Sequence, residues 1–154
     1  MKGFTIVEQG HVVPLLRPQT LSAAATSDTF CMKNWAHATI ICEGGAGSGL
    51  TVTLYEATSF ANSGATLIGF KYAQEATVDG DTLDAALAAA TTGGVAMGTS
   101  NVFLVIELDA EELSDGYEYV TLNTSDPGAS RLFSAVAILS GGRFQEDITA
   151  TAIA

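Results

Sequence analysis

Between Leu50 and Tyr55 the chain alternates without a break: Leu50, Val52 and Leu54 are apolar, and Thr51, Thr53 and Tyr55 lie between them. A helix would spread these residues around its circumference. A strand sends successive side chains to opposite faces, so the pattern predicts a half-buried strand. The same period recurs. Ala38, Ile40 and Cys42 alternate with Thr39, Ile41 and Glu43, and Val102, Leu104, Ile106 and Leu108 alternate with Phe103, Val105, Glu107 and Asp109. The second of these stretches is apolar on both faces through Ile106, as expected of a central strand. Tyr117 to Asn123, with Val120 and Leu122 toward the core, and Arg131 to Leu139 predict two further strands. They are joined through Ser125-Asp126-Pro127-Gly128, where proline presets φ and glycine permits a positive φ.

Turn chemistry punctuates the rest. Gly44-Gly45-Ala46-Gly47-Ser48-Gly49 separates two strand patterns and predicts a flexible hairpin loop, and Asn62-Ser63-Gly64 marks a turn before Leu67, Ile68, Phe70 and Tyr72. The alanine-rich stretch from Thr82 to Ala90 has helical propensity, with Asp81 or Thr82 as a cap and Gly93-Gly94 as a stop, although a bulged strand suits the spacing of its neighbours. About eight short strands with at most one short helix, near residues 82–90, predict a mainly β fold: one antiparallel β-sandwich of jelly-roll type. The expected organisation is an extended N-terminal arm over 1–13, the sandwich over 14–144 and a C-terminal arm over 145–154, because termini order only when something ties them down.

Charge then excludes whole classes of partner. The 154 residues carry 17 acidic side chains against six basic ones, a formal charge of -11. Lys2, Arg17, Lys33, Lys71, Arg131 and Arg143 are scattered singly. Binding to a phosphate backbone needs clustered cations, and a negative field repels anionic membranes, so neither nucleic acid nor membrane is an expected partner. A protein surface with basic patches is. No apolar run reaches the roughly 18 residues of a spanning helix and no signal peptide opens the chain, which points to synthesis in a cytoplasm. Cys31 and Cys42 lie in apolar strand-like stretches outside any C-x-x-C pair and read as core thiols.

Each candidate chemical site weakens under inspection. The glycine loop lacks the Gly-Lys-Ser/Thr ending of a phosphate loop. His11 and His37 fall in no metal or triad spacing, and no serine sits in a G-x-S-x-G elbow. Asp79, Asp81 and Asp84, and Asp109, Glu111, Glu112 and Asp115, offer oxygen ligands to calcium, but neither group has the EF-hand pattern and both read as solvated turns. Asn123-Thr124-Ser125 is formally a glycosylation acceptor without a secretory route. The expectation is a protein that is not an enzyme, with no catalytic residue, cofactor or metal. Trp35 reads as a core or edge aromatic that also offers a stacking face, and Phe144, following Gly141-Gly142-Arg143 where the last strand gives way to the tail, is an interface candidate. Trp35, Arg143, Phe144, Ile148 and Ile153 form the candidate partner interface.

The order of features resembles that of small virion proteins of tailed bacteriophages. The resemblance runs through an extended N-terminal segment, the strand entry Met32-Lys33-Asn34-Trp35-Ala36-His37-Ala38-Thr39-Ile40, the glycine loop and Leu50 to Thr58. It continues through Phe103 to Asp109, Tyr117 to Asn123, Ser125 to Ala129 and Ile138-Leu139-Ser140-Gly141-Gly142-Arg143-Phe144. It implies a capsid decoration (cement) protein of the virion, a jelly-roll homotrimer seated where subunits of the major capsid protein meet. The alternative is a carbohydrate- or receptor-binding β-sandwich of a phage fibre or tail, with Trp35 and loop tyrosines as platforms. In either case the functional surface is expected on the sandwich rims and the terminal arms.

Overall fold

In a computed structural model of the chain, the described residues are 3, 5–75, 77, 79–84, 86–100, 102–143 and 151–153. A one-turn helix, α1 (Ile6–Gln9), leads into β1 (Gly10–Leu21), β2 (Ala25–Thr26), β3 (Phe30–Cys31), β4 (Trp35–Gly47), β5 (Leu50–Ala57) and β6 (Thr66–Ile68). There follow β7 (Phe70–Glu75), β8 (Ala88–Ala90), β9 (Val95–Met97), β10 (Val102–Asp109), a 3-10 turn (Ala110–Glu112), β11 (Tyr119–Thr124) and β12 (Arg131–Gly142). Sheet A has the order β1-β12-β4-β10-β7-β8. Sheet B has the order β2-β11-β5-β6, with β3 also paired to β11 and β9 to β5. All pairs are antiparallel. The first and last strands are neighbours and most connections cross between the sheets, the winding of a jelly roll.

The alternating stretches bury the side chains their period selects. Ile40, Leu104, Ile106 and Leu139 from sheet A meet Val52, Leu54, Val120 and Leu122 from sheet B, all fully buried. Two sheets packed in this way exclude water from both inner faces, and that burial is the main source of stability.

One expectation is corrected and one open reading is settled. The glycine run is no hairpin: β4 pairs only with β10 and β12, and β5 only with β11, β6 and β9, so Gly44 to Gly49 carries the chain from one sheet to the other. The glycines make room for Arg131, which is fully buried on the inner face at this end of the sandwich. A Cβ on Gly44 would lie 2.5 Å from Arg131 Nη2, and one on Gly47, whose φ is 154°, would lie 2.7 Å from the Ser130 carbonyl. The Arg131 guanidinium donates to the backbone carbonyls of Ser48 (2.8 Å), Gly98 and Ser100 (3.4 Å), tying the β4–β5 and β9–β10 connections to β12.

The alanine-rich stretch ends in strand β8 rather than a helix, and the short helix stands at Ile6–Gln9 instead. Pairing with the exposed edge of β7, through Tyr72↔Ala88 and Phe70↔Ala90, outweighs the propensity of the alanines. At the opposite edge β1 begins at Gly10, within the segment expected as an arm, and pairs with β12 as far as Leu21↔Arg131. Pro14 and Pro18 interrupt its ladder, and register shifts fall between Pro14 and Leu16 and between Leu16 and Gln19. Among the described residues no helix is long and apolar enough to cross a membrane.

Candidate functional site

The two outer faces differ in kind. On sheet B, Thr51, Thr53 and Tyr55 of β5 stand beside Thr121 and Asn123 of β11, and this surface is knitted by its own hydrogen bonds. Thr29 and Thr121 hydroxyls meet at 2.8 Å, and Thr121 donates to Asn62 Oδ1 at 3.2 Å. On sheet A, register aligns Pro14, Val136, Ile41, Val105 and Ala73 in one row across five strands. Ile138 and Phe103 flank the row. Val136, Ile41, Val105, Ile138 and Phe103 are each half-buried, while Val12 and Leu132 are 46% and 55% exposed. A contiguous apolar patch of this kind, rimmed by charge, is the usual mark of a protein-binding surface.

The charged rim is ordered. His37 lies between two carboxylates on the neighbouring strand: Nδ1–H donates to Asp109 Oδ1 at 2.7 Å and Nε2–H to Glu107 Oε2 at 2.6 Å. Thr39 Oγ1 also donates to Glu107, at 2.7 Å. With both ring nitrogens facing carboxylates, the imidazolium is the form that fits. Burial pulls the His37 pKa down, but the hydrogen bonds and charges of Asp109 and Glu107 together outweigh it and hold the pKa above its ordinary value. Beside this clamp, Glu112 accepts the Asp109 backbone N–H at 3.0 Å and pairs with Lys71 at 2.9 Å. Glu75, buried at the end of β7, accepts the N–H groups of Thr77 (2.6 Å) and Thr82 (2.7 Å), and these bonds hold its pKa below the usual carboxylate range.

The residues singled out from sequence are dispersed. Trp35 is 6% exposed and packs in the core with His11 stacked on it at 6.0 Å between ring centroids, which leaves no open ring face for a sugar. Arg143 is exposed, its N–H donating to the Asn34 carbonyl at 2.8 Å. Ile153 bridges to Phe30 at the β3 edge of sheet B and is half-buried there, and the Cys31 N–H donates to the Ala152 carbonyl at 2.8 Å. Phe144 and Ile148 lie outside the described residues. Of the acidic groups expected in turns, Asp109 and Glu112 serve the rim network, and Asp84 accepts the Gln74 N–H at 3.3 Å. Among the described residues no group of three or more histidine, cysteine or acidic side chains is arranged to hold a metal ion.

The apolar row therefore stands on a sheet face, away from the rims and arms. One sequence signal pointed to it: the stretch from Val102 to Ile106 is apolar on both faces, and on the outer one Phe103 and Val105 are only half-buried among the described residues.

No protein-family model and no curated protein matches the sequence. Among solved structures the fold is similar to that of the SPBc2 prophage-derived protein YomS, with a TM-score of 0.47 and 9% identity over 90% of this chain and 99% of that one.

Proposed function

We propose that this chain is a structural protein that docks on a larger protein assembly through the outer face of sheet A. The assembly is a phage capsid, which the chain decorates as a homotrimer by binding the major capsid protein across subunit boundaries in the virion. The observation that carries the reading is the row of Pro14, Val136, Ile41, Val105 and Ala73 on one outer face, exposed at Pro14 and half-buried at Val136, Ile41 and Val105, while the other outer face is polar and joined by hydrogen bonds such as Thr29 to Thr121. Burying such a row removes apolar area from water at roughly 25 cal/mol per Å² before the costs of association, and its acidic rim orients a partner whose surface is basic. The resemblance of the order of sequence features to that of small virion proteins supports the capsid as that partner, and the charge of -11 disfavours nucleic acid and membrane surfaces.

Co-sedimentation with capsids lacking this protein tests the reading, with the mass of the purified protein measured alongside by light scattering. The unaltered chain pellets with the capsids, and the Ile41→Asp/Val105→Asp double variant stays in the supernatant with its circular dichroism unchanged. A monomer without capsid affinity, or a double variant that pellets as well as the parent, would overturn it.

A further inference from the structure

Among the described carboxylates on the strands of sheet A, Glu43 is the one with no ion pair and no hydrogen bond. Glu107 and Asp109 hold His37, Glu112 holds Lys71, and Glu75 is capped by backbone N–H groups. Glu43 is exposed, and no ion pair joins it among the described residues. It also stands between two clefts. On its β1 side a groove of about 430 Å³ opens where the bulges draw β1 out of register, with Pro14, Pro18, Ile41 and Val136 as walls and Arg17 at the far rim. A second cleft, of about 420 Å³, lies across the end of β4 between Phe103, Leu132 and the turn carrying Asp79. Glu43 lines both.

We infer that this surface takes an extended segment of a partner protein in which one Lys or Arg is flanked on either side by an apolar side chain, the cation meeting Glu43 and one apolar group filling each cleft. The inference rests on the docking role proposed for this face and names what the face recognises. The argument is charge complementarity. Among the described residues no cation competes for the Glu43 carboxylate, so an arriving cation meets it directly, and an arginine can do so with two parallel hydrogen bonds. Because Glu43 lines both clefts, a cation that meets it has apolar walls from each cleft beside it, Ile41 and Val136 from one and Phe103 and Leu132 from the other. A nucleic acid or an anionic membrane would bring phosphates against Glu43 and Asp79, so a peptide segment is the favoured occupant.

The test uses the whole protein and short synthetic peptides carrying one Lys or Arg between Leu or Phe residues at varied spacing, with Glu in place of the cation as controls. Binding is read by fluorescence anisotropy and located by backbone amide shifts. The expected result is binding of the cationic peptides only, with shifts centred on Ile41, Glu43 and Val136. Glu43→Lys then weakens that binding by roughly tenfold or more and turns the preference toward the Glu controls. Leu132→Ala, at an exposed position that leaves the core intact, weakens it to a smaller degree. Absence of binding, shifts centred elsewhere, or indifference to Glu43→Lys overturns the inference. So does self-association of the unaltered chain that Glu43→Lys abolishes, because the occupant would then be a second copy. If no peptide binds while Ile41→Asp/Val105→Asp still abolishes capsid binding, the docking reading stands and this inference alone falls. If peptides bind at Glu43 while that double variant still pellets with capsids, the docking reading falls instead.

Discussion

Arg131 occupies the space that a side chain on Gly44 would need: a Cβ there would stand 2.5 Å from Nη2 of the buried guanidinium. The two residues are 87 positions apart in sequence and adjacent at one end of the sandwich, where the Arg131 head group is held by backbone carbonyls of two connections. The relationship has an energetic signature. Gly44→Ala costs about 2–3 kcal/mol by forcing the guanidinium or the backbone to move, and Arg131→Ala costs about 3–5 kcal/mol by leaving a cavity and orphaned carbonyls. In the double variant the alanine at 44 meets no guanidinium, so the combined cost falls short of the sum by about 1–2 kcal/mol. Urea denaturation of the four proteins measures this coupling, and strict additivity would contradict the geometry.

His37 makes stability depend on pH in a defined direction. Its folded-state pKa is raised above the unfolded value of about 6.5, so the folded chain binds the proton more tightly. The stabilisation is therefore complete below about pH 6.5 and is lost as pH rises through the folded pKa. His37→Gln should destabilise the protein more at pH 5.5 than at pH 9, with the gap closing between them. An NMR titration of the His37 ring supplies the second reading. Asp109→Asn and Glu107→Gln each lower the His37 pKa, and a variant that left it unchanged would show that the corresponding contact has no electrostatic role.

Thr151 to Ile153 close the β3 edge. Ala152 is buried, and its carbonyl accepts the Cys31 N–H beside the fully buried Phe30. Truncation before Thr151 removes this cover, and the expected loss is about 1–2 kcal/mol, the scale of uncovering one partly buried aliphatic side chain and its neighbour. Chemical denaturation measures the loss, and faster hydrogen exchange at the Cys31 amide locates it. Unchanged exchange at Cys31 would mean that the segment does not protect this edge in solution.

Much of the sandwich was legible because alternation is a local property: the positions picked from Leu50, Ile40, Leu104 and Val120 are the buried ones. What escaped depends on distant partners. The glycines from Gly44 to Gly49 have the composition of a hairpin, and only Arg131, far along the chain, explains why they carry a crossing between sheets. The same limit hid the apolar row on sheet A. The two-faced apolar run around Val105 marked one strand of it, but Ile41 and Val105 join Pro14 and Val136 in one row only through the registers of β1, β12, β4 and β10. His37, Glu107 and Asp109 likewise belong to no linear motif, yet an antiparallel register brings them together.

The broken ladder of β1 also bears on stoichiometry. An open sheet edge can template another strand, and repetition of that step has no natural end. Here one edge of sheet A carries two prolines and two register shifts, and the other is a strand of only three residues. Association directed to the flat face, with both edges blunted, saturates once each receiving place is filled. On the docking role proposed above, a coat made of such units would have a fixed number of copies and would not grow into filaments.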